Sequence, residues 1–126
     1  MGAKKKEFTI IVFCVLACFV SVATAADDWT TKNKIAQYTG SILILADCLQ
    51  TLEIAKNDDY YETNPIMGRD PNQEMVVGYF ATAMVGYWGI SYLLTEKWRN
   101  RFQFLVIGVQ AGYVCHNYNI GIRVAF

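Results

Sequence analysis

The chain has 126 residues, of which 54% are hydrophobic and only 17% are charged, whereas about 25% of the residues of a typical soluble protein are charged. Acidic and basic residues balance at eleven each, so no net field points to a nucleic-acid partner or to an acidic substrate. The length allows a single domain, and the composition predicts a small helical membrane protein whose first partner is the lipid bilayer.

The first 25 residues have the pattern of a secretory signal peptide. A basic run at 4–6 precedes an apolar stretch, and the small residues at 23–25 supply an A-x-A cleavage site. We expect cleavage after Ala25, which leaves residues 26–126 as a helical membrane domain. An uncleaved first helix is one alternative, and a lipoprotein processed at Cys18 is another.

Three further apolar segments predict three helices, at about 35–55, 73–94 and 101–116. A membrane-spanning helix needs roughly 20 apolar residues. The connector at 60–74 contains both prolines of the chain, and the residue before a proline is disfavoured in helix. A charged turn at 95–101 is too short to join anything but antiparallel neighbours. The predicted fold is all-α: a small membrane bundle with a signal helix, three apolar helices and a short extended C-terminal tail.

Small residues recur at four-residue spacing on the last two predicted helices. Gly108 and Gly112 form a G-x-x-x-G, and Gly78, Thr82 and Gly86 form a similar stripe. Such stripes let helix backbones approach closely in lipid, where no hydrophobic force drives association. We therefore expect these glycines to pack helices together.

The distribution of positive charge leaves two topologies open. If the first mature helix spans after a secreted start, the acidic connector at 56–74 lies inside and the basic turn at 97–101 lies outside, against the positive-inside tendency. If that helix instead lies along the bundle without spanning, the basic turn falls inside. The apolarity of the helix favours spanning.

One polar group of residues lies within these apolar segments. Asp47, Gln50 and Thr51 share one helix face, because they fall at i, i+3 and i+4. An ionisable residue inside a membrane helix is costly and marks a candidate functional site. With Gln110 from the last helix, these side chains are expected to form a buried hydrogen-bonded network, whose preferred interpretation is structural cross-linking of the helices.

A second motif follows the first mature helix. Glu62, Asn64 and Pro65 bring a carboxylate and an amide to its end, and His116 is the only histidine of the chain. Together with Asp47 they allow an intramembrane hydrolase or a proton or ion relay. No recognised catalytic, metal-binding or phosphate-binding motif occurs, so no catalytic residue, metal or cofactor is predicted. Cys48 and Cys115 are expected to be free, a disulfide between them being the alternative.

The segment from Asp47-x-x-x-Thr51 to Glu62-x-Asn64-Pro65-Ile66-Met67-Gly68 resembles the core of small helical membrane proteins of bacteria and phages. The resemblance covers 46–68 and the two helices that follow. That group has no established activity, so the resemblance implies a compact bundle and no reaction. The A-x-A signal is a departure from its pattern.

Apolar residues alternate with other residues at 120–126, ending in Phe126. Period-two alternation indicates a β-strand and is similar to the last strand of an outer-membrane barrel. A barrel needs at least eight strands, and no other segment alternates. We therefore expect an extended tail on the bundle and a bacterial inner-membrane location, with the outer membrane as the alternative.

The sequence favours an accessory, regulatory or host-interaction factor that acts through a membrane protein partner or another copy of itself. A holin-like protein that forms membrane lesions is the first alternative. An intramembrane enzyme, or a proton or ion pathway that uses Asp47, is the second.

Overall fold

A computed structural model describes residues 28–57, 59–62 and 64–123. The predicted signal peptide and the last three residues of the tail lie outside this part of the chain. Three helices follow one another: α1 (Thr31–Ile54), α2 (Gln73–Leu93) and α3 (Glu96–Asn119). The described residues contain no strand, which confirms the all-α prediction.

Side-chain caps explain where the first two helices begin. Thr30 and Asn33 form a capping box at α1, since each side chain accepts a hydrogen bond from the other's backbone N–H at 3.2 Å. The Asn72 side chain accepts from the Met75 N–H at 2.8 Å and caps α2. These caps satisfy N–H groups that the helices themselves leave without a partner.

The third helix corrects one prediction. The segment 95–101 was expected to be a charged turn, but α3 begins at Glu96 and the link between α2 and α3 is only Leu94 and Thr95. The start of this helix is difficult to predict from sequence, because its first two turns are rich in charged and polar residues. With the helix beginning at Glu96, Arg99 lies inside the bundle rather than in an exposed turn.

The helices α1 and α3 run parallel to each other, and α2 runs antiparallel to both. Asn33 near the start of α1 donates to Asn100 near the start of α3, at 2.9 Å. Asn117 near the end of α3 donates to Asp47 at 3.3 Å. The α1–α3 contact is the most extensive of the three. The predicted antiparallel pairing of α2 and α3 is also present, with the rings of Tyr87 and Phe102 5.9 Å apart.

The apolar core is small and lies in the middle of the bundle and towards the connector. Ile44, Val76, Phe80 and Tyr87 form it, and Met67 reaches into it from the connector. The core therefore fixes the connector on the bundle as well as the helices on one another.

Close helix packing occurs at a glycine other than those predicted. A side chain at Gly40 would overlap the Tyr87 ring, so α1 and α2 approach each other there. A Cβ added at any of the predicted packing glycines would meet nothing within 4 Å: Gly78, Gly86, Gly108 and Gly112. These four glycines face open space and therefore do not bring the three described helices together, and their packing against another helix stays a prediction.

Candidate functional site: two buried polar clusters

About half of the buried side chains in the bundle are polar or charged, and many large apolar side chains are exposed on its surface. Of the seven largest fully buried side chains, six are polar: Asn33, Gln37, Thr51, Ser91, Arg99 and Gln103, with Val76 the exception. Large apolar side chains are exposed on every helix, among them Ile42 (67% exposed), Val85 (71%) and Leu105 (65%). Polar and charged side chains are seldom fully buried in water-soluble proteins.

The first cluster, here called the Asp47 cluster, consists of Asp47, Gln50, Thr51 and Asn117. Asn117 Nδ2 lies 3.3 Å from Asp47 Oδ1 and 3.3 Å from Gln50 Oε1, so that one amide joins both α1 residues to α3. The Thr51 side chain lies next to the Asp47 carboxylate on the same face of α1. Asp47 is 7% exposed. The predicted inward-facing polar face of α1 is therefore present.

The predicted partner on α3 is different from the observed one. Gln110 forms no hydrogen bond with the residues of this cluster. Its Oε1 is buried without a hydrogen-bond partner among the described residues. Asn117 takes its place, one heptad further along the same face of α3. One face of α3 carries an amide side chain every seven residues: Gln103, Gln110 and Asn117. This spacing is the sequence signal from which Asn117 could have been predicted as a member of the network.

The connector motif builds a turn. The Glu62 carboxylate accepts from the Asn64 N–H at 2.7 Å, and Asn64 Oδ1 accepts from the Ile66 N–H at 3.0 Å. Asn64 Nδ2 donates to the Tyr79 hydroxyl of α2 at 2.9 Å. Pro65 occupies the first central position of the turn, which suits its fixed φ. The turn ends at Gly68, whose φ of +79° favours glycine.

This turn explains why Glu62, Asn64 and Pro65 occur together without invoking a reaction. It carries Met67 into the apolar core, and the Glu62 N–H closes the loop by donating to the Arg69 carbonyl at 2.9 Å. The negative charge of Glu62 also acts on Asp47, so the motif lies at the same end of the bundle as the Asp47 cluster. His116 is exposed on the surface of α3.

The second cluster lies at the opposite end, where α1 and α3 begin. We call Asn33, Gln37, Ser91, Arg99 and Gln103 the Arg99 cluster. Gln103 Nε2 donates to the Asn33 carbonyl at 3.1 Å and to Gln37 Oε1 at 2.8 Å. Arg99 Nε and Nη2 donate to the carbonyls of Ser91 and Leu94, both at 2.7 Å. This cluster is not evident from the sequence, because the charged run at 95–101 resembles a turn and hides the position of Arg99 within a helix.

An apolar layer, formed by Ile44 and Tyr87 with Val106 of α3 packed against them, lies between the two clusters along α1 and α2. On α3 the side chain of Gln110 lies between the clusters, with its buried Oε1 unbonded. The polar residues thus form two hydrogen-bonded groups rather than a continuous path along the bundle. Among the residues that the structure describes, no three potential metal ligands lie together. Cys48 and Cys115 are free thiols, in agreement with the prediction that they are not joined by a disulfide.

The geometry predicts which polar pair couples α1 to α3. Asp47→Leu and Asn117→Leu each leave a buried partner unsatisfied, whereas the double variant removes both members. We expect a coupling free energy of about 1 kcal/mol between Asp47 and Asn117, which is the typical net contribution of one intramolecular hydrogen bond. Reversible unfolding of the purified protein measures it.

Asp47→Leu combined with Gln110→Leu provides the control for this measurement. The two substitutions are expected to add without coupling, because no hydrogen bond joins these residues. A larger coupling of Asp47 with Gln110 than with Asn117 would contradict the observed register of α1 against α3.

Comparison with protein-family models, with curated proteins and with solved structures finds no significant match to this chain. Its function therefore has to be inferred from the arrangement of its own residues.

Proposed function

We propose that the protein is an integral membrane protein whose three helices all cross the bilayer, and that it acts as an accessory or regulatory factor through contacts with a membrane protein or another copy of itself. The buried polar side chains and the exposed large apolar side chains are the observation that carries this proposal. In hydrocarbon, polar side chains are stable only when they face inward and find partners, and lipid covers the apolar surface.

The lengths of the three helices support the proposal that all three cross the bilayer. α1 and α3 have 24 residues each and α2 has 21, or roughly 32–36 Å at 1.5 Å per residue, which matches a hydrocarbon core of about 30 Å. By composition alone, α2 is the one described helix that is long and apolar enough to cross a membrane, which is weak evidence by itself. α1 and α3 carry more polar residues. Their exposed charged side chains lie in the first two turns of each helix, whereas Gln37, Asp47 and Gln103 further along are buried.

The two ends of the bundle differ in charge. The segments 28–34 and 96–101, which lie together at the end where α1 and α3 begin, contain five basic and two acidic residues. The segment 53–74 at the other end contains six acidic and two basic residues. We call these the basic end and the connector end. The positive-inside tendency favours a cytoplasmic basic end, whereas a cleaved signal peptide favours a cytoplasmic connector end.

Thiol labelling tests whether the bundle spans. In a variant with all four native cysteines replaced by alanine, single cysteines at Asn57 and Lys97 mark the connector end and the basic end. We expect an impermeant maleimide to label one of them in intact inner-membrane spheroplasts, and both after permeabilisation. The labelled end reports the orientation. Labelling of both positions before permeabilisation would overturn the proposal that all three helices cross.

A surface suited to a partner helix supports the accessory role. Gly108 and Gly112 lie open on α3 beside exposed Leu105 and Val109, and small residues allow a second helix to approach closely in lipid. A photoreactive residue at Val109 is expected to form a discrete protein adduct in the native membrane, and one at Ile35 of α1 is the matched exposed control. Adducts with lipid alone at both positions would contradict this role.

A second candidate, a proton or ion pathway, draws on one observation, the Asp47 carboxylate inside the bundle near Glu62. The apolar layer at Ile44 and Tyr87 argues against a continuous path through one copy. Reconstituted vesicles distinguish the two functions. Flux that depends on Asp47 and disappears in Asp47→Asn would favour the pathway, and unchanged permeability favours the accessory role.

A further inference from the structure

An aromatic-walled groove lies at the basic end, between the start of α1 and the end of α2. It encloses about 260 Å³, and six residues line it: Trp29, Lys34, Gln37, Tyr38, Trp88 and Tyr92. The Trp29 and Trp88 rings stack at 6.2 Å, and Tyr38 meets Trp88 edge to face at 5.9 Å. We call this the aromatic groove.

Two buried N–H donors of the aromatic groove have no partner. Trp29 Nε1 and Gln37 Nε2 are both buried and form no hydrogen bond with any described residue. A buried donor without a partner costs roughly 1–3 kcal/mol, so each needs an explanation. The Trp88 Nε1–H, in contrast, donates to Ser41 Oγ at 3.0 Å.

The orientation of the Gln37 amide follows from its neighbours. The Asn33 carbonyl can only accept, so the Gln103 atom that faces it must be Nε2. The same Gln103 nitrogen lies 2.8 Å from Gln37, which must therefore present its oxygen there. The Gln37 nitrogen is the atom left over, on a fully buried side chain that lines the groove.

The chemistry of the groove selects the ligand. Two unpartnered N–H groups require acceptor oxygens, and the Lys34 ammonium favours an anion. The Arg99 guanidinium, stacked on Trp29 with 4.8 Å between its central carbon and the ring centroid, adds positive charge behind it. Aromatic walls suit the boundary between headgroups and acyl chains, where tryptophan and tyrosine concentrate.

We propose that the aromatic groove binds one phospholipid headgroup beside Lys34, with the groove side chains shifting so that phosphodiester oxygens accept from Trp29 Nε1 and Gln37 Nε2, which are otherwise buried. The site rests on the membrane location proposed above, because only there does the groove lie at headgroup depth. The bound lipid supplies the missing acceptors and fixes the start of α1 against the end of α2.

Native mass spectrometry of the full chain in detergent, titrated with phosphatidylglycerol, tests the site. One lipid is expected to bind more tightly than the rest. The double variant Trp29→Phe with Lys34→Gln keeps the ring and removes the donor and the charge, and we expect roughly tenfold weaker binding. Trp98→Phe with Lys32→Gln changes the same residue types at the same end, outside the groove, and is expected to bind within about twofold of the parent.

Two further arms identify the bound group. Diacylglycerol, which lacks the phosphate, is expected to bind without preference for the groove, and millimolar inorganic phosphate is expected not to displace the lipid. Equal loss in both double variants, equal binding of diacylglycerol, or displacement by phosphate would overturn the proposal. Thiol labelling at Asn57 and Lys97 tests separately whether the helices cross the membrane. If the helices cross but no lipid binds preferentially, only the headgroup site is refuted.

Discussion

Replacement of Arg99 by methionine is expected to destabilise the bundle by about 3 kcal/mol. Arg99 is 0% exposed, and its guanidinium donates at 2.7 Å to two carbonyls at the end of α2, those of Ser91 and Leu94. The last carbonyls of a helix have no partner within the helix, and a hydrogen bond from a charged donor contributes about 1.5–3 kcal/mol. Methionine keeps the apolar stem but leaves both carbonyls unsatisfied.

Denaturant-induced unfolding in mixed micelles measures this loss. Arg101→Met is the matched control, because Arg101 is exposed and its guanidinium stacks on Trp98 at 4.9 Å. A change of at most about 1 kcal/mol is expected there. Arg99→Lys is expected to fall between the two, since lysine keeps the charge without the planar fork of donors. Equal losses in Arg99→Met and Arg101→Met would show that Arg99 does not hold the end of α2.

Replacement of Gly40 by alanine is expected to cost about 2 kcal/mol. The added Cβ would lie 2.6 Å from Tyr87 Cζ, and overpacking of a close-packed contact typically costs 1–3 kcal/mol. Tyr87 cannot simply turn away, because it is buried and its hydroxyl donates to the Ala36 carbonyl at 2.9 Å. The helices must separate locally, and that hydrogen bond is expected to weaken.

The same unfolding measurement, with two further variants, isolates the contact. Gly112→Ala is the control, since a Cβ there meets nothing within 4 Å, and alanine favours helix over glycine by up to about 1 kcal/mol. A neutral or stabilising result is expected. In a Tyr87→Leu background, Gly40→Ala should cost much less than in the parent. If Gly40→Ala lowers the free energy of unfolding equally in both backgrounds, the Tyr87 ring is not the group that requires glycine at position 40.

The helices and the connector turn follow from local features that sequence alone displays. The two prolines interrupt the chain where α1 and α2 are separated, and Thr30 and Asn72 provide the oxygens that cap these helices. The common face of Asp47, Gln50 and Thr51 also follows directly, because helical periodicity places residues i, i+3 and i+4 together.

The start of α3 was harder to predict for a physical reason. Its first turns are polar, and in an isolated sequence a run of charged residues resembles a surface turn. Arg99 instead lies inside because the carbonyls at the end of α2 need donors, and that need arises only once α2 and α3 are packed.

The tertiary structure decided two further features. One is which glycine lies at a close helix contact, and the other is which amide of α3 joins the Asp47 cluster. The G-x-x-x-G spacing of Gly108 and Gly112 permits a close approach but does not say which face of α3 meets α1. The parallel alignment of α1 and α3 determines that Asn117, not Gln110, lies beside Asp47. Sequence determined the helices and their polar faces, because both depend on residues close together in the chain. The pairing of those faces depends on the relative rotation and register of separate helices, which only their packing fixes.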